Sequence, residues 1–153
     1  MSAHIDIQTA CEDPVPHEDD LRHWINVVMD QCADSKNPEV SVRLVGENEM
    51  RRLNRDFRGR NGVTNVLSFP ADLPPGLGLS LLGDIVICAA VVHREADEQG
   101  KDSQAHWAHM AVHGSLHLLG FDHVEDTDAA VMESLETQIL ASLDYPCPYR
   151  HSS

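Results

Sequence analysis

The sequence predicts an α+β fold: a single domain, with a small mixed sheet of about four strands packed with about five helices and a metal site on a central helix and the loop after it. Three observations carry that reading. The stretches HIDIQTA, VSVRLV, VTNVLSFP and LLGDIVIC have strand character, through alternation or β-branched apolar content. Between and after them, apolar residues recur at three- and four-residue spacing, the mark of amphipathic helices. At 153 residues the chain is long enough to bury a core as one domain, 1–153. The order β-α-β-α-β-β-α-α-α leaves the sheet topology open.

In chain order, Ile5 and Ile7 mark the buried side of the first strand. After a turn with two prolines, a helix begins near His17. Leu21, Trp24, Ile25 and Val28 form its apolar stripe, with acids in its first turn where the helix dipole favours them. A polar loop over 33–39 leads to the second strand, Val40–Val45. Gly46–Phe57 is helical and is expected to bury Met50, Leu53 and Phe57. Arg51, Arg55 and Arg58 share one of its faces at i, i+4, i+7.

Glycines at 59 and 62 end that helix, and Val63–Pro70 reads as the third strand. Ala71–Ser80 is rich in proline and glycine and reads as a mobile loop. Leu81–Cys88 is a buried strand whose one acid, Asp84, is expected at a strand end in contact with water. Ala89–Gln99 is a helix ended by Gly100, and Asp102 or Ser103 caps the next. That helix, running to about Leu119, is apolar nearly all round and so is expected at the centre of the fold. A last helix, about 128–144 and capped by Glu125–Thr127, carries the stripe Val131, Leu135, Ile139, Leu143. Residues 145–153 read as a frayed tail.

Composition narrows the function. No apolar run approaches the length needed to cross a membrane, and the N-terminus has no basic start or apolar segment of a secretory signal. A soluble, cytoplasmic protein is expected. Cys11, Cys32, Cys88 and Cys147 are far apart, which suits reduced thiols and no cysteine-type zinc site. The formal net charge of −14 opposes nucleic-acid binding. Its distribution does not: Arg43, Arg51, Arg52, Arg55, Arg58 and Arg60 face only Glu47, Glu49 and Asp56 in the same window, a local excess of three positive charges. Either a phosphate-binding track or a solvated helix face with local ion pairs accounts for that window.

The most informative stretch is HMAVHGSLHLLGFDH, residues 109–123. His113 and His117 are four apart, hence on one helix face. Gly120 can end the helix in the left-handed conformation and return His123 toward the pair. Three imidazoles with a fourth position open is the arrangement of catalytic zinc. His109, His113 and His117 together span about 12 Å of helix at 1.5 Å per residue, too far for one ion. His113, His117 and His123 are therefore the expected ligands, with His106 and His109 left as helix-surface or supporting groups. Asp122 either orients an imidazole or is a solvated loop acid. The spacing H-x-x-x-H-x-x-G-x-x-H is also that of metzincin proteases, but Gly114 stands where those enzymes carry the glutamate base.

The blocks FRGRNGVTNVLSFP, LLGDIVI and HGSLHLLGFDH, in that order, resemble the YbeY family of bacterial metallo-endoribonucleases, the rRNA maturation factors. The resemblance runs from the second strand through the last helix. It implies a hydrolase specific for single-stranded RNA, acting in 16S rRNA 3′-end maturation and ribosome quality control. It implies one Zn2+ held by His113, His117 and His123, and a functional arginine at Arg58. It also implies RNA and the ribosome or its proteins as partners, with no DNA or membrane. The chemistry agrees: arginine grips phosphate with two donors and meets the charge that builds on a phosphorane. Two other readings compete, a metal-dependent protease and a non-catalytic ribosome-associated factor with structural zinc. The acidic total predicts that naked RNA is bound weakly and with strong salt dependence.

Overall fold

A four-stranded sheet sets the position of the other elements in this computed structural model, which describes residues 3–33, 38–71, 81–121 and 126–149. The elements are β1 (His4–Ala10), α1 (Glu18–Cys32), β2 (Glu39–Val45), α2 (Glu47–Arg58), β3 (Val66–Pro70), β4 (Leu81–Cys88), α3 (Ala89–Gln99), α4 (Ser103–Leu118) and α5 (Asp126–Ser142). The sheet order is β1-β2-β4-β3. β1, β2 and β4 run parallel, and β3 pairs antiparallel with β4 at the edge. The fold is the expected α+β domain with a mixed sheet.

Side-chain alternation divides the core in two. Ile5, Val40, Val42, Leu44, Ile85 and Ile87 point to the face covered by α1 and α4. Val45, Leu67, Val86 and Cys88 point to the other, where Met50 of α2 and Val91 of α3 meet them. On β3 the same alternation sends Ser68 toward α4, where its hydroxyl donates to the Gly114 carbonyl at 2.9 Å, and Phe69 toward α2. Asp84 is exposed, as expected, but it lies in mid-strand, paired with Ser41 of β2 and Phe69 of β3, and not at a strand end.

Local signals set the helix ends. The Asp102 carboxylate caps α4 by accepting from the Ala105 N–H at 3.2 Å. Its other end closes through Gly120, at φ +100°. There the Gly120 N–H reaches the His117 carbonyl at 3.0 Å and the Phe121 N–H the Leu116 carbonyl at 3.1 Å. α4 is buried along most of its length, including His106 and His109.

Four expectations shift. Phe57 is expected inside, but it meets Phe69 of β3 edge-on and is otherwise open, at 66% exposed. The third strand starts at Val66, three residues later than expected; residues 63–65 line a cavity, and the Asn65 carbonyl accepts from the Cys88 N–H at 2.9 Å. On α5 the buried positions are Met132, Glu136, Ile139 and Leu140, while Val131 is 53% exposed. Of the expected stripe, Ile139 is buried and Leu135 and Leu143 pack against the core; Val131 alone points outward, and an acid, Glu136, takes an inward position. The tail expected to fray is held over its first residues: Tyr145 packs edge-on against Trp24, and Lys101 donates to the Pro148 carbonyl at 2.8 Å. Residues 72–80 of the Pro/Gly-rich loop lie outside the described residues.

Gly114 explains its own identity. A Cβ there would stand 2.9 Å from Ile85 Cγ2 and 3.1 Å from Val66 Cγ2, so α4 lies against the sheet at a distance only glycine allows. Gly114→Ala is expected to cost about 1–3 kcal/mol through overpacking. Urea unfolding checks this, and wild-type stability in the variant would deny the close approach.

Candidate metal centre

α4 presents four histidines in succession along one side, and their surroundings sort them into different roles. His106 is buried, and its Nε2 meets the Glu95 carboxylate of α3 at 2.9 Å. Burial lowers the pKa of His106 against the opposing pull of Glu95. Glu95 also accepts from Asn65 Nδ2 at 3.1 Å, which ties the loop before β3 to the helix layer. His109 is buried too, not on the helix surface, and its Nε2 meets Glu136 Oε2 at 2.6 Å.

His113 and His117 face outward by comparison. Their rings lie 4.6 Å apart, centroid to centroid. Both line a cavity of about 410 Å³ that is shared with Arg58, Asn54, Asn65 and Ser68. Three elements build this cavity. α4 supplies the imidazoles, β3 supplies Ser68, and the end of α2 with the segment after it supplies Arg58 and the asparagines. Asn54, buried near the end of α2, donates to the Gly62 carbonyl at 3.2 Å and so fixes the return of that segment. Gly59 closes α2 at φ +64°, with its N–H on the Arg55 carbonyl. Arg58 is the last helical residue before that turn. It is exposed, and among the described residues it has no acidic partner.

Glu136 is the group the sequence reading missed. Its side chain is fully buried and accepts from His109, from His113 Nδ1 at 3.1 Å and from the Tyr149 hydroxyl at 2.6 Å. Burial alone would raise its pKa, but the hydrogen bonds from His109, His113 and Tyr149 prevail and hold it at about 2. The Tyr149 hydroxyl is correspondingly raised, first by burial and then by donation to that carboxylate. Only one sequence signal pointed here: an acid 23 residues beyond His113 on an otherwise apolar helix face.

His109, His113 and Glu136 bring ligand-type atoms within 4.8 Å of one another, a cluster able to hold a metal ion. The donor chemistry suits a divalent ion, with one qualification about which atoms would bind. Ligands on one tetrahedral zinc at about 2.0–2.1 Å stand about 3.3 Å apart. The His109–Glu136 contact of 2.6 Å is a hydrogen bond and shorter than that. A carboxylate at His113 Nδ1 also requires the proton on that nitrogen, which makes Nε2 the metal-binding atom of the ring. His123 and Asp122, expected beside the pair, lie outside the described residues.

The model of the endoribonuclease YbeY family matches residues 6–144. The solution structure of TM1509 from Thermotoga maritima is similar, with a TM-score of 0.61 and 26% identity, over 91% of this chain and 88% of that one. With the match reaching from the first strand to beyond the last helix, this chain belongs to the YbeY endoribonuclease family.

Proposed function

We propose that this protein is a zinc-dependent endoribonuclease that hydrolyses single-stranded RNA in 16S rRNA 3′-end maturation and ribosome quality control. One observation supports it above the rest: His113 and His117 line the same cavity as Arg58. In this reading His113, His117 and His123 hold one Zn2+, and Glu136 orients the His113 ring from behind. The ion would supply Lewis acidity toward a phosphoryl oxygen and toward water. Arg58 holds the scissile phosphate and meets the negative charge that develops on it. No glutamate base is needed at position 114, and none fits there. The backbone at that position is pressed against Ile85 and Val66, which opposes the protease reading.

Among the described residues no helix is long and apolar enough to cross a membrane. We place the protein in the cytoplasm, with the ribosome or its proteins bringing RNA to a chain of net charge −14. The test is metal content of the purified protein, paired with digestion of single-stranded RNA, with and without chelator. A metal-free protein, or cleavage indifferent to chelator, would overturn the reading. Arg58→Ala is expected to lower cleavage by about 100-fold or more with bound metal unchanged. Normal cleavage in that variant would remove Arg58 from the reaction.

A further inference from the structure

α2 ends in an exposed aromatic that packing does not explain. Phe57 is the most exposed large apolar residue described, at 66%. It lies on the same helix face as Met50 and Leu53, one turn beyond Leu53 at the C-terminal end of α2. Its one aromatic neighbour is Phe69 on edge strand β3, met edge-on at a centroid distance of 5.4 Å and an interplanar angle of 69°. That contact fixes the ring's orientation while most of its surface stays open to solvent. The two phenylalanines line a groove with Leu53, Val86 and Arg43, on the sheet face opposite the histidines.

Two features tie this groove to the cavity. Phe57 immediately precedes Arg58 and Phe69 immediately follows Ser68, and both Arg58 and Ser68 line the cavity. The groove and the cavity are thus the two sides of one edge strand. The groove is also lined by exposed Asp84 and by Glu49, which pairs with Arg43, so the positive charge lies at the end of α2 and the turn after it: Arg55, Arg58 and Arg60 are exposed within three residues of Phe57, with Arg55 paired to Asp56. Among the described residues, Arg58 and Arg60 have no acidic partner.

An exposed aromatic next to unpaired guanidinium groups is the combination by which proteins hold single strands: the cations track the backbone and the ring stacks on a base. We propose that Phe57 is a stacking platform for one unpaired nucleobase of the RNA strand, adjacent to the phosphate held at Arg58, so that the strand turns around the β3 edge. A base in a duplex has both faces covered by its neighbours and cannot use the ring, so Phe57 contributes to selection of single-stranded over paired RNA. The inference rests on the ribonuclease reading.

Binding without cleavage tests it. A fluorescein-labelled single-stranded oligoribonucleotide is titrated at low salt, in chelator, against wild type and the Phe57→Ala, Phe57→Leu and Phe57→Trp variants. Wild type is expected to bind. Phe57→Ala and Phe57→Leu are expected to raise the Kd about 5- to 100-fold, with only a small fall in melting temperature from loss of the edge-on contact with Phe69. Phe57→Trp is expected to retain affinity, with indole emission quenched by the single strand but not by a duplex of equal length. Wild-type affinity in Phe57→Leu would overturn the proposal, since it would mean that any apolar group suffices. So would a wild-type dimer in sedimentation that Phe57→Ala dissociates, because the ring would then serve a second copy of the chain. Wild type that binds no RNA would instead sink the ribonuclease reading itself, a different result from wild-type binding that is insensitive to position 57.

Discussion

His117→Ala is expected to lose bound metal and RNA cleavage together, with activity down by more than about 100-fold, because loss of a supporting group alone costs a metal site 10–100-fold. His117 lies on the last turn of α4, half-buried, with its ring beside that of His113. Its removal leaves the core helix and its Gly120 closure intact, so the variant is expected to stay folded. Elemental analysis of the purified variant, a cleavage assay and a thermal melt read the three quantities separately. A variant that still carries one metal per chain would move the ion to the cluster of His109, His113 and Glu136. Metal loss without loss of cleavage would remove the ion from the reaction.

Glu136→Ala is expected to have the largest effect on stability. The carboxylate it removes is fully buried and accepts from two imidazoles and a phenol. Truncation strands the buried His109 donor and takes an acceptor from His113 and Tyr149, which reach solvent, a loss of about 3 kcal/mol. Metal affinity is expected to fall about 10–100-fold as the His113 ring loses its orienting partner. Glu136→Gln keeps an acceptor and is expected to lose less of both. The carboxyl also makes stability pH-dependent. Because it sits at about 2 in the fold against an ordinary 4.5, its contribution is complete above about 4.5 and disappears as pH falls from there toward 2. Wild-type melting temperature is expected to drop across that interval more than that of Glu136→Gln. A Glu136→Ala protein as stable as wild type would show that the buried carboxylate and its donors contribute nothing to the fold.

The legible parts of the fold were those where a local rule and the tertiary environment point the same way. The stripe Leu21, Trp24, Ile25, Val28 is buried as its spacing requires. Asp102 caps α4 and Gly100 and Gly120 close helices in the left-handed conformation, because those ends depend on neighbouring backbone alone. Phe57 failed for a different reason. Helical periodicity says which face a side chain is on, not how far the supporting sheet extends beneath it. Val131 failed because periodicity counts apolar residues, and the inward face of α5 contains a glutamate.

The site divides along the same line. A helical pair of histidines four apart, a glycine to end the helix and an arginine at the close of α2 are all short-range statements, and the chain order alone contained them. The partnership of Glu136 with His109 and His113 joins residues 27 and 23 apart in sequence, and that of Arg58 with the histidine cavity crosses from one helix to another. The sequence by itself determined which side chains can bind a metal or a phosphate, since that is a property of imidazole and guanidinium groups at fixed helical spacing. Only the tertiary structure decided which of them meet, and that an acid could be buried among them. Burying a carboxylate is unfavourable until partners from elsewhere in the chain arrive to satisfy it, and no local pattern records their arrival.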